Sequence, residues 1–192
     1  MSSEPSRSRE REQVPLAEAV ALVLDAASDG DLIIVDGRSG AGKSTLAREL
    51  ARRWPHAGHA HVIALDDLYP GWDGLAAGAM YAVARVLTPH AAGRPARWQR
   101  WDWATDRYDG DCELDAGSGI VLEGSGALTP EAAGFAAVRV WLDAPADVRR
   151  ERALARDGDG YRPHWERWAA QEEQHIRRND PQRLATHLLE LA

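Results

Sequence analysis

One short segment constrains the fold of this chain more than any other. Residues 37–44 read Gly-Arg-Ser-Gly-Ala-Gly-Lys-Ser. Glycines at this spacing before Lys-Ser form a loop whose backbone N–H groups turn inward and surround an anion. An apolar run, residues 31–36, precedes the loop, and a helical segment, residues 44–54, follows it. A buried strand, a glycine loop and a helix in this order are what a phosphate-binding loop requires.

The chemistry of this loop predicts that it binds Mg·ATP. We expect Lys43 to contact the β- and γ-phosphates and the Ser44 hydroxyl to bind Mg²⁺. Lys43 is the single lysine among 23 basic residues, and an arginine fork does not easily replace its compact ammonium group. The predicted nucleotide-binding residues of the loop are Gly37, Ser39, Gly40, Ala41, Gly42, Lys43, Ser44 and Thr45.

The remaining pattern alternates strands with helices. Further strands are predicted at residues 61–65, 119–124 and 138–143, and helices at residues 15–28, 75–87, 145–156 and 163–177. Residues 181–192 fit either a fifth strand or a short helix. The alternation predicts the α/β class: a three-layer P-loop NTPase fold with a five-stranded parallel sheet and helices on both faces.

The domain organisation follows from composition along the chain. Residues 1–13 are polar and charged and are predicted to form a disordered tail, and residues 14–192 are predicted to form a single domain. Residues 93–109 are rich in Arg and Trp and are predicted to form an insert over the active site.

Acidic side chains follow two predicted strands, where ligands bind in parallel α/β sheets. Asp66 and Asp67 come at the end of the second strand, and Glu123 ends the third. Asp66 can accept the proton of an attacking hydroxyl, or it can serve as a helix cap or turn former; the residues alone leave both open. Glu123 is a candidate to hold Mg²⁺ or to orient an acceptor.

Three arginines lie on one face of a predicted helix. Arg149, Arg152 and Arg156 are spaced i, i+3 and i+7. One interpretation is that the three arginines form a solvent-exposed basic face whose charge Glu151 and Asp157 balance. Next to a phosphate loop, the cluster favours a mobile lid that neutralises the transferring phosphate.

Composition excludes several function classes. The formal net charge of −7 argues against nucleic-acid binding, and no apolar run approaches the roughly 20 residues that cross a bilayer. A GTPase needs a second lysine in its guanine-reading element, and the signature of ABC-type ATPases is absent. The lone Cys112 suits a reducing cytoplasm. The function class that remains is a small-molecule kinase. The sequence leaves open whether the protein forms a homodimer.

Five segments together resemble the uridine kinase family of nucleoside kinases. They are residues 37–45, 66–69, 101–103, 123–124 and 147–157. The resemblance implies a sheet in the order 2-3-1-4-5 and transfer of the γ-phosphate of Mg·ATP to a hydroxyl of a nucleoside-like small molecule. It also implies that Asp66 is the general base, that Glu123 contacts the acceptor and Mg²⁺, and that Arg149 and Arg152 are lid arginines. The implied catalytic set is Lys43, Asp66, Arg149 and Arg152, and Arg156 joins the nucleotide-binding residues.

The predicted substrate-binding segments depart from the family's pattern more than the phosphate loop does. Predicted substrate-binding residues are Asp67, Tyr69, Asp73, Trp101, Trp103 and Glu123. Trp101 and Trp103 share a face if the segment is extended, and they either stack on a planar substrate or cover the core. Trp101 replaces the family's tyrosine, and residues 104–107 lack its base-reading histidine. The alternatives are a monophosphate kinase, a kinase of another alcohol or antibiotic, and an ATP-binding regulator without transfer.

Overall fold

The computed structural model describes residues 12–27, 32–55 and 59–191. The strands are β1 (Glu12–Val14), β2 (Leu32–Asp36), β3 (Ala60–Ala64), β4 (Ala96–Asp102), β5 (Arg107–Leu114), β6 (Gly119–Glu123), β7 (Val138–Asp143) and β8 (His187–Leu191). The helices are α1 (Leu16–Asp25), α2 (Lys43–Arg52), α3 (Leu75–Ala82), α4 (Thr88–Ala91), α5 (Pro130–Ala133), α6 (Ala146–Tyr161), α7 (Trp165–Asn179) and α8 (Pro181–Leu184).

The main sheet has six parallel strands in the order β1-β8-β7-β2-β6-β3. Without β1, this is the predicted order 2-3-1-4-5, and the predicted fold class is confirmed. The strand number differs from the predicted five because β1 pairs with β8, with Glu12 opposite Leu189. The predicted disordered tail is therefore wrong at Glu12 and Gln13, since pairing with β8 fixes their backbone. Residues 1–11 of that tail lie outside the described residues.

Burial explains why the sheet is parallel and central. All five residues of β2 are buried, as expected for a strand that is covered on both faces. Ile33 and Val35 pack with α1 and α2, whereas Ile34 belongs to the core on the opposite face. Alternate residues of one strand thus face opposite helical layers, which gives the three-layer architecture.

The strand register aligns the carboxyl ends of three neighbouring strands. Glu123 of β6 lies opposite Val35 of β2 on one side and opposite Ala64 of β3 on the other. The chain leaves β2 into the glycine loop and leaves β3 into a 3₁₀ turn, Leu65–Asp67. The loop, Glu123 and Asp66 therefore come to the same edge of the sheet.

The predicted insert is an antiparallel hairpin of β4 and β5. The Tyr81 hydroxyl accepts a hydrogen bond from the Gln99 amide at 3.0 Å, and the rings of Tyr81 and Tyr108 stack 4.7 Å apart. Tyr108 in turn donates to the carbonyl of Leu68 at 2.9 Å. The hairpin is thus fixed to the segment that carries Asp66.

Three helical segments differ in detail from the prediction. The helix predicted over residues 75–87 passes through a π turn, Val83–Leu87, and continues into α4. The predicted break after residue 156 occurs at Gly158, whose backbone is non-helical at φ 61° and ψ −143°. The ambiguous C-terminal segment forms both a short helix, α8, and a strand, β8.

Within the described ranges, no helix has the length and apolar character needed to cross a bilayer.

Candidate active site

The glycine loop has the geometry that its sequence predicts. Gly40 and Gly42 have positive φ angles of 81° and 100°, and α2 begins immediately after the loop at Lys43. A Cβ atom on Gly40 would lie 2.0 Å from the carbonyl oxygen of Arg149, so only glycine fits there. The N-terminus of α2 and the amides of the loop therefore form a cradle for anionic phosphates.

Lys43 lies in this cradle with only 8% of its surface exposed. Its ammonium group donates to the carbonyl of Arg38 at 3.1 Å and to Oγ of Ser125 at 3.3 Å. Both partners are neutral, so the positive charge remains available to phosphate oxygens.

Ser44 and Glu123 form an oxygen pair beside Lys43. The Ser44 hydroxyl donates to Oε1 of Glu123 at 2.7 Å. Burial raises the pKa of Glu123, while Lys43 and the hydrogen bond from Ser44 oppose this shift. A hydroxyl beside a buried carboxylate is the oxygen donor set that Mg²⁺ prefers, so the predicted metal-binding residues fit the ion. No cluster of three or more acidic, His or Cys ligands exists among the described residues.

A cavity of about 250 Å³ opens over the loop and is strongly basic. Its charged lining consists of one lysine and three arginines, with no carboxylate: Lys43, Arg48, Arg152 and Arg156. Arg152 and Arg156 lie where the sequence predicts. Arg48 was not among the predicted site residues, although its position one helical turn after Ser44 places it on the same face of α2. Its Nε atom donates to the Ser44 carbonyl at 2.9 Å. The cavity suits the phosphates of a nucleotide.

Arg149 has a different environment from the other two arginines of the predicted lid. It is 8% exposed, and its Nε atom donates to the Ala144 carbonyl at 3.0 Å and lies 3.6 Å from Asp143. Its Nη1 atom donates to the carbonyl of Ser39 at 3.4 Å. The prediction of Arg149 as a lid arginine is therefore corrected: helical spacing gives the shared face, but Arg149 is buried against the glycine loop and supports it.

A second cavity, of about 340 Å³, adjoins the basic one and is lined largely by aromatic rings. We call it the aromatic cavity; its lining residues are Ser39, Asp66, Tyr69, Trp72, Trp103, Arg156, Asp157, Gly160, Tyr161 and Trp168. Asp66 is exposed, and the Trp103 indole donates to its backbone carbonyl at 2.9 Å. The predicted base and one predicted substrate-binding tryptophan are therefore neighbours.

Trp72 is the centre of the aromatic cluster. Its ring stacks on His164 and Tyr161, with centroids 4.1 and 5.6 Å apart, and lies 4.9 Å from the ring of Trp103. Trp168 meets it edge-on at 6.4 Å. Sequence reasoning missed Trp72, Tyr161 and Trp168 as site residues because they come from separate segments.

The other predicted substrate residues are dispersed, apart from Tyr69, which lines the aromatic cavity. Tyr69 is buried, its hydroxyl donates to the Ser125 carbonyl at 2.7 Å, and burial raises its pKa. Asp67 and Trp101 line a separate surface depression next to the hairpin. Asp73 forms an ion pair with Arg167, which lowers the Asp73 pKa, and it lies at a third cavity between α3 and α7. The structure therefore does not bring Asp67, Asp73 or Trp101 into the aromatic cavity.

The loop is held by residues that the sequence did not suggest. Asp36 is fully buried and accepts hydrogen bonds from the amides of Gly37, Gly126 and Leu128 at 2.6, 2.9 and 2.8 Å. The fourth partner is His175 of α7, whose Nε2 atom lies 2.8 Å from Asp36 Oδ2. The position of Asp36 at a strand end was a usable signal, but nothing local pointed to His175.

Ser39, in the middle of the loop, joins three elements. Its amide donates to Glu172 of α7 at 2.7 Å, and its hydroxyl accepts from Tyr161 at 3.0 Å. Its carbonyl is the acceptor for Arg149. The loop is therefore braced by both α6 and α7.

The strand order, the glycine loop and the Ser44–Glu123 pair define the fold of a P-loop kinase. The chain belongs to the AAA domain family, which matches residues 33–177. Its fold is similar to that of a possible uridine kinase from Bacillus stearothermophilus, with a TM-score of 0.65, 18% identity, and coverage of 91% of this chain and 97% of the other. It is also similar to a candidate fructose transport system kinase from Silicibacter sp. TM1040, with a TM-score of 0.55, 18% identity, and coverage of 93% and 99%.

These likenesses agree with the motif pattern of the sequence. No match to the chain is found among curated proteins. The predicted resemblance is nevertheless confirmed at the level of the fold: the two structural neighbours share the P-loop kinase fold that it implies, and the family match includes the glycine loop.

Proposed function

We propose that the protein transfers the γ-phosphate of Mg·ATP to a hydroxyl group of a nucleoside-like small molecule. The observation that carries this proposal is that the basic and aromatic cavities adjoin, because Arg156 lines both. Asp66 faces the aromatic cavity, and Lys43 and Ser44 face the basic one. A phosphate site that adjoins an acceptor site with a carboxylate is what transfer to an alcohol requires.

The roles of the residues follow from their positions. The acceptor oxygen attacks the γ-phosphorus as Asp66 takes its proton, and the bond to the β-phosphate oxygen breaks to release ADP. Lys43, Arg152 and Arg156 bind the phosphate oxygens and neutralise the charge that develops on them. Ser44 and Glu123 would hold Mg²⁺, which supplies further charge neutralisation at the β- and γ-phosphates.

The structure favours an alcohol acceptor over a phosphorylated one. A monophosphate acceptor needs free arginines, but Arg97 pairs with Glu113 at 2.8 Å and Arg107 pairs with Asp109 at 3.3 Å. The single arginine of the aromatic cavity, Arg156, also lines the basic cavity, where it serves the phosphates of ATP. Aromatic faces and a carboxylate instead suit a neutral ring compound with a hydroxyl group.

We place the reaction in the cytoplasm, which suits a chain with one cysteine.

The test is ADP release from Mg·ATP with a panel of nucleosides, nucleoside monophosphates and small alcohols. Lys43→Ala is the blank, and Asp66→Asn tests the base. We expect an alcohol to stimulate ADP release and Asp66→Asn to lower the rate by about 10²–10⁴-fold. Full activity of Asp66→Asn would remove the base assignment, and stimulation by monophosphates alone would replace the alcohol acceptor. ATP binding without any stimulation would favour an ATP-binding regulator.

A further inference from the structure

Glu172 of α7 is a buried carboxylate whose environment the proposed reaction does not explain. Only 3% of its surface is exposed, and it forms no ion pair within the described part of the chain. Its partners are neutral: the amide of Ser39 at 2.7 Å and Oγ of Ser125 at 2.9 Å. Burying an ionised carboxylate is costly unless a nearby cation compensates it.

The ammonium group of Lys43 is linked to Glu172 through one hydroxyl, that of Ser125. Nζ of Lys43 lies 3.3 Å from Oγ of Ser125. An ammonium group can only donate, and a carboxylate is a stronger acceptor than the Gly37 carbonyl, which lies 3.0 Å from the same Oγ atom. The proton arrangement is therefore Lys43 to Ser125 and Ser125 to Glu172.

We propose that Ser125 and Glu172 are positioning residues for Lys43. Through Ser125, the carboxylate holds the ammonium group over the loop; through the Ser39 amide, it holds the loop itself. The inference deepens and rests on the proposed function, because positioning matters only if Lys43 acts on the γ-phosphate. It also links α7, which lines the aromatic cavity through Trp168, to the phosphate site.

A second glutamate of α7 supplies a matched control. Glu166 is exposed in the first turn of the helix. Glu172→Gln and Glu166→Gln therefore remove the same charge from one helix, the first at a buried position behind Lys43 and the second at an exposed position. Ser125→Ala breaks the link without removing a charge.

The first readout is spectroscopic and needs no substrate. Lys43 is the single lysine, so protein grown with ¹³C,¹⁵N-lysine reports one side chain by NMR. We expect Ser125→Ala and Glu172→Gln to shift the Lys43 Cε and Nζ resonances by more than a linewidth, and Glu166→Gln to leave them unchanged. Unchanged resonances in both test variants, or equal shifts in all three, would overturn the proposal.

The second readout is the rate of Mg·ATP hydrolysis to ADP and phosphate, with water as the acceptor. For Glu172→Gln we expect kcat to fall about tenfold, because Lys43 loses its orientation. KM for ATP should stay within about threefold, because loss of the negative charge favours the triphosphate while the looser loop opposes it. A rise in KM together with a large fall in Tm would show a purely structural role instead. If the wild-type protein binds no ATP by calorimetry, the proposed function fails, while the Lys43 resonances still decide the inference.

Discussion

Replacement of Asp36 gives the most direct test of how the phosphate loop is held. The fully buried carboxylate accepts three backbone amides and lies against His175. Asp36→Ala leaves all four groups without this acceptor. Asp36→Asn keeps one oxygen for Gly37 and Gly126 but turns an NH₂ group toward Leu128 and His175 if the amide keeps that orientation.

The magnitude follows from the number of buried donors that lose their partner. Each unsatisfied buried group costs about 1–3 kcal/mol, and such costs are not fully additive. We therefore expect Asp36→Ala to lower the free energy of unfolding by about 3–5 kcal/mol and Asp36→Asn by about 1–3 kcal/mol. For a chain of this size, each kcal/mol shifts Tm by about 2–4 °C, so the alanine variant should melt roughly 10 °C lower.

The assay is urea unfolding followed by tryptophan fluorescence, with Tm from calorimetry. Asp115→Ala is the control, because Asp115 is exposed in the turn before β6, and we expect a change below about 0.5 kcal/mol. Equal destabilisation by Asp36→Ala and Asp115→Ala would refute the reasoning. So would a fully stable alanine variant, since the buried amides would then have other acceptors.

Three further outcomes follow from the site. In Gly40→Ala, the new Cβ atom would lie 2.0 Å from the Arg149 carbonyl oxygen. We expect this variant to bind ATP at least about tenfold more weakly by calorimetry. An unchanged affinity would contradict the loop geometry. Burial raises the folded-state pKa of Glu123, so its charge opposes folding at neutral pH. Glu123→Gln should therefore raise Tm at pH 7, and the gain should vanish below the ordinary pKa of 4.5. A constant gain at all pH values would contradict this sign. Trp103→Phe removes the 2.9 Å hydrogen bond to the Asp66 carbonyl. It should lower kcat/KM for the acceptor by about 2- to 12-fold and leave the affinity for ATP unchanged. An unchanged kcat/KM would exclude this contact from acceptor positioning.

Local sequence was sufficient to predict the glycine loop and its neighbours. The glycine loop, Lys43 and Ser44 are contiguous, and their conformation depends mainly on backbone freedom at the glycines and on the start of α2. Glu123 was also predictable, because a polar residue that ends a buried strand must lie at the carboxyl edge of a parallel sheet.

Helical spacing was sufficient to group the three arginines but not to orient them. Arg149, Arg152 and Arg156 share a face, and only packing against the loop shows that Arg149 is buried while Arg152 and Arg156 line the basic cavity. Spacing along a helix fixes relative positions, whereas the direction of the shared face depends on what the helix packs against.

The aromatic cavity was decided by tertiary structure. Trp72, Trp103, Tyr161 and Trp168 belong to four separate segments, and Asp73, which the resemblance suggested, lies at a different cavity. The contacts of α7 with Asp36, Ser39 and Ser125 likewise join residues far apart in the chain. The physical reason is that a phosphate is bound by consecutive backbone amides, which a short motif encodes. A substrate cavity is instead the space left between elements, and it exists only after they pack.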